Sequence, residues 1–136
     1  MKDVTQSKSS FDRALRFFEN SDLTTAEEIC REALKEYPAE GKLQCLLGTV
    51  LVRQRHPAEA LPELEEVIRN FPTFPKAHRE MANALMGLGR GQEAVKHFEQ
   101  VTELTPTNAV AFFDLSLALS KIGHEDDAEK AMARSY

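Results

Sequence analysis

Apolar residues return along this chain at three- and four-residue spacing, in stretches separated by short polar or glycine-bearing breaks. That spacing puts the apolar side chains on one face of an α-helix. Residues 75–108 show it most regularly. Met81, Ala82 and Leu85 mark one amphipathic stretch that stops at Gly89, and Ala94, Phe98 and Val101 mark a second that Pro106 closes. Glycine accepts the left-handed backbone on which helices end, whereas proline has no amide hydrogen with which to continue one. The pattern predicts a helix–turn–helix hairpin.

The hairpin recurs. Pro38, Pro72 and Pro106 are evenly spaced along the chain, and Ala26, Ala60, Ala94 and Ala128 repeat with the same step. A second small-residue column runs Ala14, Gly48, Ala82, Ser116, and two large apolar columns run Phe17, Leu51, Leu85, Leu119 and Cys30, Leu64, Phe98, Met132. One spacing would carry little weight, but five columns with a common period mark a repeat. The small columns let two antiparallel helices approach closely at their crossing, and the large ones fill the space beside it. Such a hairpin cannot bury its apolar side alone, so at least three must stack.

This pattern resembles the tetratricopeptide repeat (TPR), whose period of about 34 residues matches the step of the columns. The resemblance covers units at about 7–40, 41–74 and 75–108 and a shortened fourth at 109–136. It implies an all-α, right-handed superhelical solenoid of antiparallel hairpins over residues 8–136, after a flexible polar start at 1–7.

Local departures from the pattern carry their own expectations. Ser10 and Arg13 put polar groups where later units hold bulky residues, which reads as an end cap. Thr24 and Glu27 have capping-box spacing, which predicts that Thr24 opens the second helix. Arg55 holds the turn position of Gly89 and Gly123, so that turn either strains a non-glycine residue or takes another geometry. Pro57 suits a first helical turn, whereas Pro62 falls farther in and predicts a bend or a late helix start between Ala58 and Glu65. Asn108 caps the strongly apolar first helix of unit four. The polar last helix is either a cap of its own or a point where a longer chain goes on.

Composition excludes more than it selects. A net charge of −5 argues against a surface that tracks nucleic-acid phosphates. Residues 1–10 hold no apolar run, so neither a secretory signal nor a membrane span is expected, and the default compartment is the cytoplasm. Two cysteines make no disulfide framework, and Cys30 falls in a core column. The four histidines, His56, His78, His97 and His124, show no metal-ligand spacing, with His78 at a position expected to be partly buried. The glycines at 87, 89 and 91 follow a helix rather than a strand and lack a GKS/T ending, so they do not read as a phosphate loop. GxSxG, HExxH and CxxC are absent. An enzyme is not expected, and neither cofactor nor metal.

What remains is the repeat surface. In TPR proteins the first helices line a concave groove, which here implies Lys42, Cys45, Leu46, Thr49, Val52 and Arg53 in unit two. Units three and four add Lys76, Arg79, Asn83, Met86, Phe113 and Leu117. Lys8, Lys42 and Lys76 share one column as a basic rim beside a mostly apolar floor. The set with which some TPR domains clamp chaperone carboxylates is not matched, because Leu46, Cys45, Thr49 and Glu80 fall at its places. The expected function is a non-catalytic module that binds a peptide or helix of a partner protein. Two alternatives stand beside it: a self-associating scaffold, with a homodimer as its simplest form, and the N-terminal arm of a larger enzyme such as a TPR-bearing transferase.

Overall fold

The computed structural model describes residues 4–136 as helices joined by short turns, with no strand among them. The helices are α1 (Val4–Glu19), α2 (Leu23–Glu36), α3 (Gly41–Arg53), α4 (Pro57–Asn70), α5 (Pro75–Gly87), α6 (Gly91–Leu104), α7 (Ala109–Lys121) and α8 (Glu125–Ala133). Of the start expected to be flexible, Val4–Ser7 already belong to α1, while residues 1–3 lie outside the described residues.

The period is written into the backbone. Ser21, Arg55, Gly89 and Gly123, each one repeat on from the last, all have positive φ, at 66°, 66°, 74° and 86°. At each of these turns the following amide donates back to a carbonyl in the last turn of the helix: Asp22 to Phe17, His56 to Leu51, Arg90 to Leu85 and His124 to Leu119, at 2.8–2.9 Å. This bond satisfies a carbonyl that the helix end would otherwise leave unpaired. Of the two alternatives open at Arg55, the structure takes the first: the turn keeps its glycine geometry and a non-glycine residue bears it.

The helices group into two compact units, Met1–Pro72 and Thr73–Tyr136. In the first, α1 packs on α2 and α3, and α3 also packs on α2 and α4. The small columns lie at the crossings as expected: Ala14, Ala26 and Ala60 are fully buried. At Gly48 a methyl group would lie 2.6 Å from the Leu64 side chain, so only glycine fits between α3 and α4. Cys30 is fully buried, and burial above all pushes its thiol up to about 12, the behaviour of a packed core residue. Phe17 departs from its column: it is 37% exposed, because no described helix lies on the outer side of α1.

Two expectations in this unit are corrected. The N-cap of α2 is Asp22, not Thr24; its carboxylate accepts from the Thr25 amide at 3.1 Å. Glu27 is instead held by the Arg31 guanidinium at 2.7 Å, one turn on, which keeps its carboxyl below the usual range. Of the bend or late start expected in α4, the late start does not occur. The helix begins at Pro57 and runs through Pro62 to Asn70. Ala58, whose carbonyl loses the amide that Pro62 lacks, is exposed, so water can take the place of the missing donor.

In the second unit α5 packs on α6, α6 on α7, and α7 on α8. Ala82, Ala94 and Ser116 are buried at the crossings, with Leu85, Phe98 and Val101 beside them. Pro75 holds the first turn of α5, and the Asn108 side chain accepts from the Val110 amide at 3.0 Å, capping α7 as expected. Arg134 stacks over the Phe112 ring at 4.5 Å and closes the end of α7 against the last turn.

Candidate partner-binding faces

In the first unit the outward row of the first helices is mostly closed. On α3, Lys42 and Arg53 are exposed and Val52 half-buried, but Cys45, Leu46 and Thr49 are each at most 2% exposed. Thr49 donates its hydroxyl hydrogen to the Cys45 carbonyl at 2.9 Å, which leaves that polar group turned inward on its own helix. On α1, Phe11, Leu15 and Phe18 are half-buried, and the Arg53 guanidinium lies 5.6 Å from the Phe18 ring centre. What this unit exposes along that row is three cations, Lys8, Lys42 and Arg53, against one carboxylate, Asp12.

In the second unit the same row is open. Lys76 and Arg79 are exposed on α5, with Asn83 and Met86 half-buried below them. Arg79 reaches across to α7, where its Nε meets Asp114 Oδ2 at 3.0 Å. Beside that ion pair, α7 exposes Val110, Phe113 and Leu117 at 52%, 43% and 46%. Glu80, on α5, is buried, and its Oε2 has no hydrogen-bond partner among the described residues, so it presents no carboxylate at the surface.

The histidines divide differently from their sequence spacing. His56 and His124 are exposed N-cap residues of α4 and α8, and neither side chain makes a cap bond. His78 and His97 meet across the α5–α6 hairpin, Nδ1 to Nδ1 at 3.1 Å with ring centres 5.4 Å apart, so each Nδ1 points at the other ring. One ring donates and the other accepts, and a single proton lies between them. Burial first, and His78 second, hold His97 below its ordinary value, while Glu93 pulls the other way. Sequence reading missed this pair because its members stand on different helices, well outside any metal-ligand or same-face spacing. The register of two antiparallel helices joined at Gly89 is the signal that would have found it. Among the described residues no group of three or more His, Cys, Asp or Glu side chains could hold a metal ion. Nor is any described helix long and apolar enough to cross a membrane.

Comparison with known proteins agrees with this architecture. A tetratricopeptide-repeat family model matches residues 45–109 and 79–136. Among solved structures, MamA from Desulfovibrio magneticus RS-1 superimposes with a TM-score of 0.87 at 17% identity, over 95% of this chain and 73% of that one. A MamA structure designated AMB-1 gives 0.77 at 19% identity, over 95% and 76%. A further MamA crystal structure gives 0.85 at 15% identity, over 98% and 78%. No curated protein matches the sequence. At these identities the likeness shows the fold, an all-α solenoid of helical hairpins. With the family model spanning well over half of the sequence, the chain belongs to the tetratricopeptide-repeat family.

Proposed function

We propose that this chain is a non-catalytic interaction module that holds a peptide or helix of a partner protein against its first-helix faces. The observation that carries this reading is the exposure of the cation column at Lys8, Lys42 and Lys76 in a chain of net charge −5, with the apolar face of α7 uncovered. Opposite charge on a partner steers encounter, and apolar anchors supply affinity. The residues assigned to contact are Lys42, Val52 and Arg53, then Lys76, Arg79, Asn83 and Met86, then Phe113 and Leu117. Cys45, Leu46 and Thr49 shape the surface from below. Cys30 and Cys45 are buried cysteines that form no disulfide with each other, which suits a cytoplasmic protein.

The test is affinity for a partner captured from lysate, measured by titration. Lys42→Glu with Lys76→Glu should slow association and remove most of its salt dependence, while the thermal melt stays unchanged because exposed charges contribute little to stability. Asn83→Ala should cost about 1 kcal/mol against an extended peptide and less against a helix, whose backbone bonds are already made. Equal affinity for all variants would move the binding surface to the second helices. Self-association is a second reading, favoured by the exposed apolar residues of α7, and equilibrium sedimentation at micromolar concentration separates it from the first.

A further inference from the structure

The first helices share one register, yet their outward positions differ in chemistry. The column that reads Lys8, Lys42 and Lys76 becomes Val110 on α7. The next column reads Phe11, Cys45, Arg79 and Phe113, and the third Leu15, Thr49, Asn83 and Leu117. Val110, Phe113 and Leu117 thus lie along one face of α7, two helical turns from end to end, and all three are exposed. The first unit shows what covers such a row. Phe11 and Leu15 stand in the same columns on α1, where α3 packs against α1, and there they are half-buried.

Charge narrows the occupant. The Arg79–Asp114 pair neutralises one edge of the α7 row, leaving Lys121 exposed one turn beyond Leu117 and Lys76 exposed on α5. Neither lysine has an ion-pair partner among the described residues. The uncovered face is therefore apolar with net positive borders. A second copy fits it poorly. With the twofold axis perpendicular to them, two α7 helices run antiparallel and Lys121 of each meets the positive N-terminal end of the other; with the axis along them they run parallel and the two Lys121 side chains face each other.

We infer that α7 receives an amphipathic helix of acidic character from a partner protein, packed against it as α3 packs against α1. Apolar residues of that helix at i, i+3 or i+4 and i+7 meet Val110, Phe113 and Leu117, and carboxylates beside them meet Lys121 and Lys76. This rests on the interaction-module reading and narrows it in two ways: the ligand is helical, and its apolar anchor is on the second unit.

The probe is a synthetic helical peptide of about five turns, with leucine at that spacing and glutamate at its flanks, and a counterpart with lysine for glutamate. Both are titrated into the full chain by fluorescence anisotropy. The acidic peptide should bind in the micromolar range, and roughly tenfold or more weaker to Leu117→Asp. The lysine peptide should be weaker by a similar factor, with the difference shrinking as salt rises. The melt of Leu117→Asp should match that of the unaltered chain, because the side chain it replaces is already half exposed. Absence of binding by the acidic peptide, equal binding of the two peptides, or binding that ignores Leu117→Asp would overturn the assignment. So would a dimer in sedimentation that Phe113→Asp dissolves, which would give the face to a second copy. If a captured natural partner is lost with Lys42→Glu and Lys76→Glu but kept by Leu117→Asp, the module reading stands and the α7 assignment falls.

Discussion

Helices α3 and α7 hold the same place in their repeats and have the same length, yet ten of the thirteen residues of α3 are buried and only six of α7. The difference does not follow from residue type. The α7 helix carries Val110, Phe113, Leu115, Leu117 and Leu119, while α3 buries Gln44 and Thr49. It follows from neighbours: α3 packs on α1, α2 and α4, whereas within its unit α7 packs on α6 and α8. A repeat position therefore has no fixed burial. The same column is core where another first helix covers it and surface where none does.

The largest effect that tests this contrast is truncation of a large side chain in each helix. Leu47 is 1% exposed in α3, and Leu47→Ala should cost about 2–5 kcal/mol in urea unfolding, while Leu117→Ala in α7 should stay within about 0.5 kcal/mol. Comparable losses would mean that the α7 row is covered after all. Next in size is overpacking at the crossing. Gly48→Ala would set a methyl group against Leu64 and should destabilise by about 1–3 kcal/mol. A melt unchanged by it would contradict the close approach of α3 to α4.

The turns offer a smaller contrast. Arg55 and Gly89 occupy equivalent left-handed positions, which cost a non-glycine residue about 1–2 kcal/mol. Gly89→Ala should destabilise by about 1 kcal/mol, and Arg55→Gly should stabilise by about 0.5–1 kcal/mol after the added freedom of the unfolded chain is offset. If Arg55→Gly destabilised instead, a contact of the arginine side chain would have to outweigh the strain.

The smallest expected effect separates the two inner hairpins by pH. The α3–α4 hairpin is bridged by Gln44 Nε2 donating to Glu66 at 2.9 Å, and the α5–α6 hairpin by His78 and His97. The folded chain holds His97 below the ordinary 6.5, so the unfolded chain takes the proton first. Stability is fully present above 6.5 and is lost as pH falls from there through the folded value. Urea midpoints at about pH 7.5 and about pH 5.5 should differ, and His97→Gln should reduce that difference. An equal difference in the variant would clear the histidine pair of any part in it.

Much of this molecule was decided along the chain. The repeat columns placed the helices, the buried alanines, the left-handed turn at Gly89 and the Asn108 cap, because each depends on local chemistry repeated at a fixed interval. They also placed the exposed lysines at 8, 42 and 76, since a long cation on an outward position stays in water whatever surrounds it. Sequence alone put Thr24 at the start of α2 and left a bend or a late start open for α4. At α2 the competing caps, Asp22 and Thr24, lay within a few tenths to about 1 kcal/mol of one another. Tertiary packing decided the rest. It buried Cys45, Leu46 and Thr49 out of an expected ligand surface, joined Arg79 to Asp114 and His78 to His97, and left Val110, Phe113 and Leu117 bare. Periodicity says which side of a helix a residue takes, but only a neighbouring helix determines whether that side meets protein or water.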